Sequence, residues 1–382
     1  MAFKLAWQFA RVHCGSPRLP DVYRRLFVDL LSLAALGTVA DVMPLVGENR
    51  IITRHGLGQI KRTRFAGLNA LIDASRLREE KIDAYHVGFV LGPRLNACGR
   101  MGHARDAVRL LTSAAGDEAV QIAAMLCRAN DDRRAIEQAI TAEAVALVRG
   151  AGFDQPGCRA IVLGKEGWHP GVLGIVASRL VDSFVRPTVL LNIDNGGAHG
   201  SARSVAGVSI HEALEHCADM LSSFGGHAMA AGVRLSSAKL DAFRDRLVAY
   251  VNERIGPDDL VEEIELDAQC SLGDVSVELW DRIAALAPFG RSNPSPLLCL
   301  REVQLAEPAR RVGHGGKHLR LTLCDPRSPY SRRVGAIAFG MGDLAEALPA
   351  GVRLDVAFSP KAGAWQGTRR AEVHVKDVRV RG

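Results

Sequence analysis

Five short segments of this 382-residue chain set charged or hydroxyl side chains among glycines in patterns that suit phosphate and metal chemistry. In Gly92-Pro-Arg-Leu-Asn-Ala-Cys-Gly-Arg-Met-Gly-His103, three glycines and a proline surround Arg94, Asn96, Arg100 and His103. Read as a loop, it exposes backbone amides beside guanidinium forks that match two phosphate oxygens; the plainer reading is a structural loop with solvated arginines. Gly164-Lys-Glu-Gly-Trp-His-Pro-Gly-Val-Leu-Gly174 lies between a strand pattern and a helix beginning near Gly171, so amide groups and a positive helix end would face a ligand. There His169 is either a general acid or phosphate donor, or a hydrogen-bonded loop residue, and Trp168 is either a stacking face or a core side chain. Gly200-Ser-Ala-Arg-Ser204 sets two hydroxyls, Ser201 and Ser204, around Arg203, a donor set for a terminal phosphate. In Phe224-Gly-Gly-His-Ala-Met-Ala-Ala-Gly232, Gly225 and Gly226 let a backbone or nucleotide come close and His227 projects from a turn; tight packing would use the same residues. Finally, Asp41 ends an apolar helix pattern just before Pro44, as a hard-metal ligand or as the cap of that turn.

The elements that must position these segments change in texture twice along the chain. Helical periodicity covers 1–13, where Phe3, Trp7 and Ala10 share a face, then 21–40, 105–112 and 117–149. From Arg159, β-branched runs at 160–163 and 187–192 alternate with helical patterns at 171–185, 210–222 and 240–254, the signature of a small α/β domain. Past Pro288, five strand patterns at 298–305, 318–324, 333–339, 353–359 and 370–380 suit a small barrel such as an OB-fold, a platform for single-stranded nucleic acid, or a β-sandwich.

Composition narrows the classes. Hydrophobic residues at 48% and charged residues at 24% match ordinary soluble domains, not disordered, collagenous or coiled-coil chains. The apolar run 30–40 is bounded by Asp29 and Asp41, short of the roughly 20 residues a spanning helix needs, so no membrane is expected. Eight scattered cysteines without a CxxC pair point to reduced thiols and a cytoplasmic location. The net charge of +6 is unevenly spread: 297–382 holds 15 basic and 8 acidic residues, whereas 253–281 holds ten acids against Arg254 alone. A basic end module suggests a polyanion partner; a solvated charged face is the alternative. The opening helix has no N-cap and no leader pattern, as if the chain began inside a domain.

The strings LGTVADVMPL, GPRLNACGRMGHA, GWHPGVLGIVASRL, GSARS and FGGHAMAAG, in that order, resemble the bacterial RecJ single-stranded-DNA exonucleases of the DHH phosphoesterase superfamily. The resemblance implies an α/β plus β-barrel architecture: the remainder of a DHH catalytic domain (1–116), a connecting helix (117–150), a DHH-associated α/β domain (151–256), an acidic connection (257–296) and an OB-fold (297–382). It makes Asp41 a ligand of paired Mn²⁺ or Mg²⁺ ions and gives Arg100, with Asn96, a place near the scissile end of DNA. Ser201 and Arg203 become holders of the 5′ phosphate, with Gly225, Gly226 and His227 lining the same cleft; Arg94, His103 and His169 lie within matching motifs.

Two departures stand out. The family's earlier aspartate motifs and its Asp-His-His triplet would precede the opening helix, and two-metal hydrolysis needs several such ligands to hold cations about 4 Å apart. In Lys361-Ala-Gly-Ala-Trp-Gln-Gly367 an asparagine is expected before the tryptophan, where Ala364 stands. The expectation is therefore a 5′→3′ exonuclease of DNA repair and recombination, truncated so that this chain binds single-stranded DNA without turnover, with a helicase or single-strand-binding protein as further partners. The rival class is a non-catalytic single-stranded nucleic-acid-binding protein derived from such an enzyme. A relative acting on short oligonucleotides or cyclic dinucleotides is disfavoured by the basic end module.

Overall fold

A computed structural model describes residues 1–101, 104–261, 263–328, 332–365 and 368–381. Helices come first. α1 (Ala2–His13) and α2 (Asp21–Ala40) match the apolar patterns, and α1 turns Phe3 and Trp7 onto Phe27 with ring centroids 5.7 and 5.2 Å apart. α3 (Gly47–Gln59) packs on α2 through Gly56, where a Cβ would stand 2.2 Å from the Leu31 carbonyl oxygen. There follow α4 (Ala66–Ala74), the single turn α5 (Ala84–His86), α6 (Gly92–Met101), α7 (Arg105–Thr112) and the 35-residue α8 (Gly116–Gly150). The segment at 92–101 is therefore helix, not loop. Pro93 follows closely on the π turn Val87–Leu91, and buried Ala97 and Cys98 anchor the helix.

The α/β texture is realised as β1 (Ile161–Glu166), α9 (Pro170–Phe184), β2 (Thr188–Asp194), β3 (Gly197–Arg203), α10 (Ile210–His216), β4 (Leu221–His227), β5 (Ala230–Ser236) and α11 (Leu240–Asn252). The sheet order is β1-β2-β3-β5-β4, with β1 and β2 parallel and the other neighbours antiparallel. Strand alternation divides the apolar residues between two cores. Ile161, Leu163 and Leu190 pack with α8 and α9, whereas Val162, Val189, Leu191, Ala198 and Ala202 pack with α10 and α11. Both GSARS and the FGGH stretch, expected as loops, are strand: β3 ends at Arg203 and β4 at His227. These elements, with α4 and α6 to α8, fall in one compact unit, Thr63–Lys81 and Gly88–Glu263.

The other unit comprises Met1–Arg62, Ile82–Val87 and Ile264–Gly382. It adds β6 (Ala268–Cys270), α12 (Val277–Ala284), β7 (Leu298–Leu305), β8 (Arg310–Val312), β9 (His318–Cys324), β10 (Val334–Ala338), β11 (Arg353–Trp365) and β12 (Thr368–Arg381). They form a single sheet, β6-β7-β11-β12-β10-β9-β8, and β9 also pairs with β7 through Gln304↔Cys324 and Leu305↔Leu323. β10 and β12 are parallel. The stretch 257–296 contributes to this core: Ser276 caps α12, and Trp280 is buried with its ring 6.1 Å from that of Phe358. Among the described residues no helix is long and apolar enough to cross a membrane. The cysteines are free.

Candidate nucleic-acid interface

In the first sheet, α9 lies over β2 and β3 and leaves the same face of β5 and β4 bare. Residues pointing to that bare face must be small or polar, and they are: Gly232 and Arg234 on β5, Ser223, Gly225 and His227 on β4, all exposed. Register sets them in cross-strand rows with β3. Arg203 pairs with Ala230 and that residue with His227; Ser201 pairs with Gly232 and that residue with Gly225; His199 pairs with Arg234 and that residue with Ser223. The last two rows and Pro170 line a cleft of about 360 Å³ that no carboxylate among the described residues lines.

The N-terminus of α9 forms one wall. His169 caps this helix, its Nδ1 accepting the Gly171 N–H at 3.1 Å, so this nitrogen is an unprotonated acceptor. His169 is thus a capping residue that fixes the turn. Gly171 lets the chain pass the end of α6, since a Cβ there would lie 2.5 Å from the Arg100 carbonyl oxygen, and the Arg100 Nη1 donates to the Gly171 carbonyl at 3.0 Å. One turn on, a Cβ at Gly174 would stand 2.7 Å from the Arg203 Nη2 and 3.4 Å from the Ser201 Oγ. The absent side chain leaves the space that Arg203 fills.

Arg203 is half-buried and donates to its neighbour's Ala202 carbonyl at 2.8 Å. Burial, and after it the nearby Arg100 charge, lower its pKa, and no carboxylate among the described residues offsets either. Arg203, Arg100 and the α9 N-terminus, with no carboxylate beside Arg203 among the described residues, form a donor set that suits an anionic oxygen ligand. α9 is held from behind by Glu137, buried on α8 and paired to Arg179 on α9 and, at 2.6 Å, to Arg133.

Of the residues expected to act, Arg100, His169, Ser201, Arg203, Gly225 and His227 meet in this unit. Asn96 is exposed on the same face of α6 as Arg100, four residues earlier. Arg94 points elsewhere, donating to the Val90 carbonyl at 2.8 Å. Gly226 serves the hairpin: its φ is 151° and a Cβ would lie 2.3 Å from the Ala230 carbonyl oxygen. Trp168 is 3% exposed and donates to Glu143 at 2.6 Å, so it offers no stacking face. His103 and the tip of the 361–367 hairpin lie outside the described residues. His199, Ser223, Gly232 and Arg234 were missed; the period-two alternation of His199, Ser201 and Arg203 was the available signal.

Asp41 belongs to the other unit, at the C-terminal end of α2. The Asp41 N–H donates to the Gly37 carbonyl and the Val42 N–H to the Val39 carbonyl, closing the helix, while among the described residues the exposed Asp41 carboxylate shows no hydrogen bond in the turn, so the side-chain cap reading fails. Among the described residues no three His, Cys, Asp or Glu side chains converge as metal ligands. Asp41 with its described surroundings does not fit a two-metal centre. The same unit carries a second surface on β9, β10 and β12, a groove of about 890 Å³ lined by four arginines, Arg320, Arg332, Arg333 and Arg370, against two carboxylates, Glu278 and Glu372. Beside it, exposed Phe339 stands between His318 and His374, ring centroids 5.2 and 5.3 Å away.

Comparison with known proteins places this geometry. Residues 157–253 match the DHHA1 domain model and 266–377 the RecJ OB domain model. The chain is 37% identical over its whole length to the single-stranded-DNA-specific exonuclease RecJ of Bacillus subtilis, covering 46% of that protein, and 35% identical over 92% of its length to RecJ of Thermus thermophilus, covering 48%. The crystal structure of Thermus thermophilus RecJ in complex with Mn²⁺ superposes with a TM-score of 0.80 at 34% identity, over 97% of this chain and 51% of that one. A related structure of that protein, in complex with Mg²⁺, gives 0.79. The chain spans about half the length of the curated relatives it matches, and with its DHHA1 and OB domains it belongs to the RecJ family.

Proposed function

We propose that this chain is the strand-holding part of a 5′→3′ single-stranded-DNA exonuclease: it grips a 5′-phosphorylated end and does not itself cleave it. The observation that carries the reading is the carboxylate-free receptor of Arg203, Ser201 and Arg100 beside the α9 N-terminus. Hydrolysis in the family draws on divalent metal, and the described donors beside Asp41 are too few to hold it. The OB domain is read as a closed five-stranded barrel that tracks the strand. Support comes from the β7–β9 register, the parallel β10–β12 pair and the basic groove on β9 and β10, the strands that in this fold face nucleic acid. A cytoplasmic location fits the free cysteines.

The test is to present the purified chain with 5′- or 3′-labelled oligonucleotides in Mn²⁺. The expected result is binding that favours a 5′ phosphate over a 5′ hydroxyl, with no nucleotide released. Robust release would overturn the division between holding and cleaving, and indifference to the 5′ group would overturn the receptor.

A further inference from the structure

We infer that Phe339 is a base-stacking platform of the OB domain: one nucleobase of the bound single strand lies on its ring while the neighbouring phosphate meets Arg320. The inference rests on the reading of this domain as the part that follows the strand, and it assigns that part a contact with a base rather than with the backbone.

Alternation fixes which side chains share the outer face of the sheet. On β9 and β12 the odd-numbered residues 319–323 and 373–375 point into the core, and on β10 the even-numbered residues 334–338 do. His318, Arg320, Ile337, Phe339 and His374 therefore lie together on the outside. Pairing sets Arg320, Ile337 and His374 in one row, and Phe339 stands two residues further on, just past the end of β10. Two residues advance about 7 Å, about the length of one extended nucleotide.

The ring is braced and still open. The His318 and His374 rings stand at 71° and 66° to it, with centroids 5.2 and 5.3 Å away, and His318 is itself fixed by its Nδ1, which accepts the Gly340 N–H at 3.0 Å. Phe339 nevertheless remains 53% exposed. A side chain so held loses little freedom when a base covers it.

Charge selects the occupant. A protein partner would ask for a broad apolar patch depleted of charge, whereas this ring stands among imidazoles and arginines at one end of the groove on β9, β10 and β12. Arg320 and Arg370 are exposed, and among the described residues neither is held in an ion pair; the groove's Glu372 already meets His374 at 3.3 Å. An aromatic face beside uncommitted guanidinium groups suits a ligand that is flat in one part and anionic in the next.

The experiment measures binding of the full chain, in EDTA, to a 5′-phosphorylated oligothymidylate and to an abasic strand of the same length and charge. In the unaltered chain the abasic strand binds about tenfold more weakly. In Phe339→Leu the oligothymidylate falls by about that factor and the abasic strand binds as before. Phe339→Trp keeps the preference for bases, and its added indole emission is quenched by the oligothymidylate and not by the abasic strand. Equal loss for both strands in Phe339→Leu, no loss for either, or an unquenched indole overturns the platform. Arg320→Gln checks the strand-following reading separately: it weakens both strands alike and lowers the salt slope by about 0.7. If Arg320→Gln weakens both strands and Phe339→Leu neither, the groove follows the strand and the platform fails. If neither substitution changes either strand, the strand-following reading fails and takes the platform with it.

Discussion

Arg203→Met separates binding from folding because the two respond in opposite directions. The native guanidinium is half-buried, lies near Arg100 and has no carboxylate partner among the described residues, so in the free protein its charge is a cost. Methionine keeps the length and removes that cost, and thermal stability is expected to hold or rise. With a 5′-phosphorylated strand the substitution loses a charge-assisted, two-pronged contact worth about 1.5–3 kcal/mol, a roughly 10- to 150-fold weaker complex. A 5′-hydroxyl strand never makes that contact and should bind as before, apart from a small loss of general attraction. Fluorescence anisotropy with the two strands at one salt concentration, beside a melting curve, reads all three quantities. Equal loss for both strands, or a clear fall in Tm, would place Arg203 in the scaffold and refute the reasoning.

Other substitutions probe the support of this receptor. Gly174→Ala should raise helix stability by up to about 1 kcal/mol yet reduce 5′-phosphate preference, because the new methyl displaces the Arg203 Nη2; unchanged preference by anisotropy would count against the packing argument. Glu137→Ala leaves Arg133 and Arg179 unpaired behind α9 and should destabilise by about 3 kcal/mol in urea titration, a shift under 1 kcal/mol contradicting it. Lys165, and then the Trp168 N–H, hold the Glu143 carboxyl below its usual range. A folded-state pKa below the unfolded one gives stability that is full above about pH 4.3 and fades as pH falls through the folded value, so Glu143→Gln should differ most at neutral pH and converge with the parent in acid; a constant difference at all pH values would refute this. Asp41→Asn removes an anion from the negative end of α2 and should stabilise by about 0.3–1 kcal/mol at low salt, an effect that added salt erases.

How much the sequence disclosed depends on what each element buries. α2, α7, β7 and β9 have the bounds that periodicity assigned, because each sets one clear apolar face against a core. α3 is absent from the periodic stretches, its three glycines leaving little apolar face, and Gly56 is where Leu31 approaches. β3 was read as a loop for lack of β-branched residues; its inward positions are Ala198, Gly200 and Ala202, and a Cβ at Gly200 would stand 1.8 Å from the Leu190 carbonyl oxygen. Ser201 and Arg203 are legible as candidate phosphate donors from their types alone. Their neighbours on the cleft, His199 and Arg234, are not evident, since the pairing of β3 with β5 joins residues 35 positions apart and no local pattern encodes it.

The half-roofed sheet of the DHHA1 region has a bearing on how such a protein can change. Its inner surface and the strip beneath α9 carry the hydrophobic work of folding, while positions 223, 225, 232 and 234 face water and touch little. Ligand preference and thermodynamic robustness are thereby assigned to different sides of the same strands. A library randomised at those four outward positions should consist mostly of well-folded members that differ in what they hold, leaving evolution room to explore new polyanions at small structural risk.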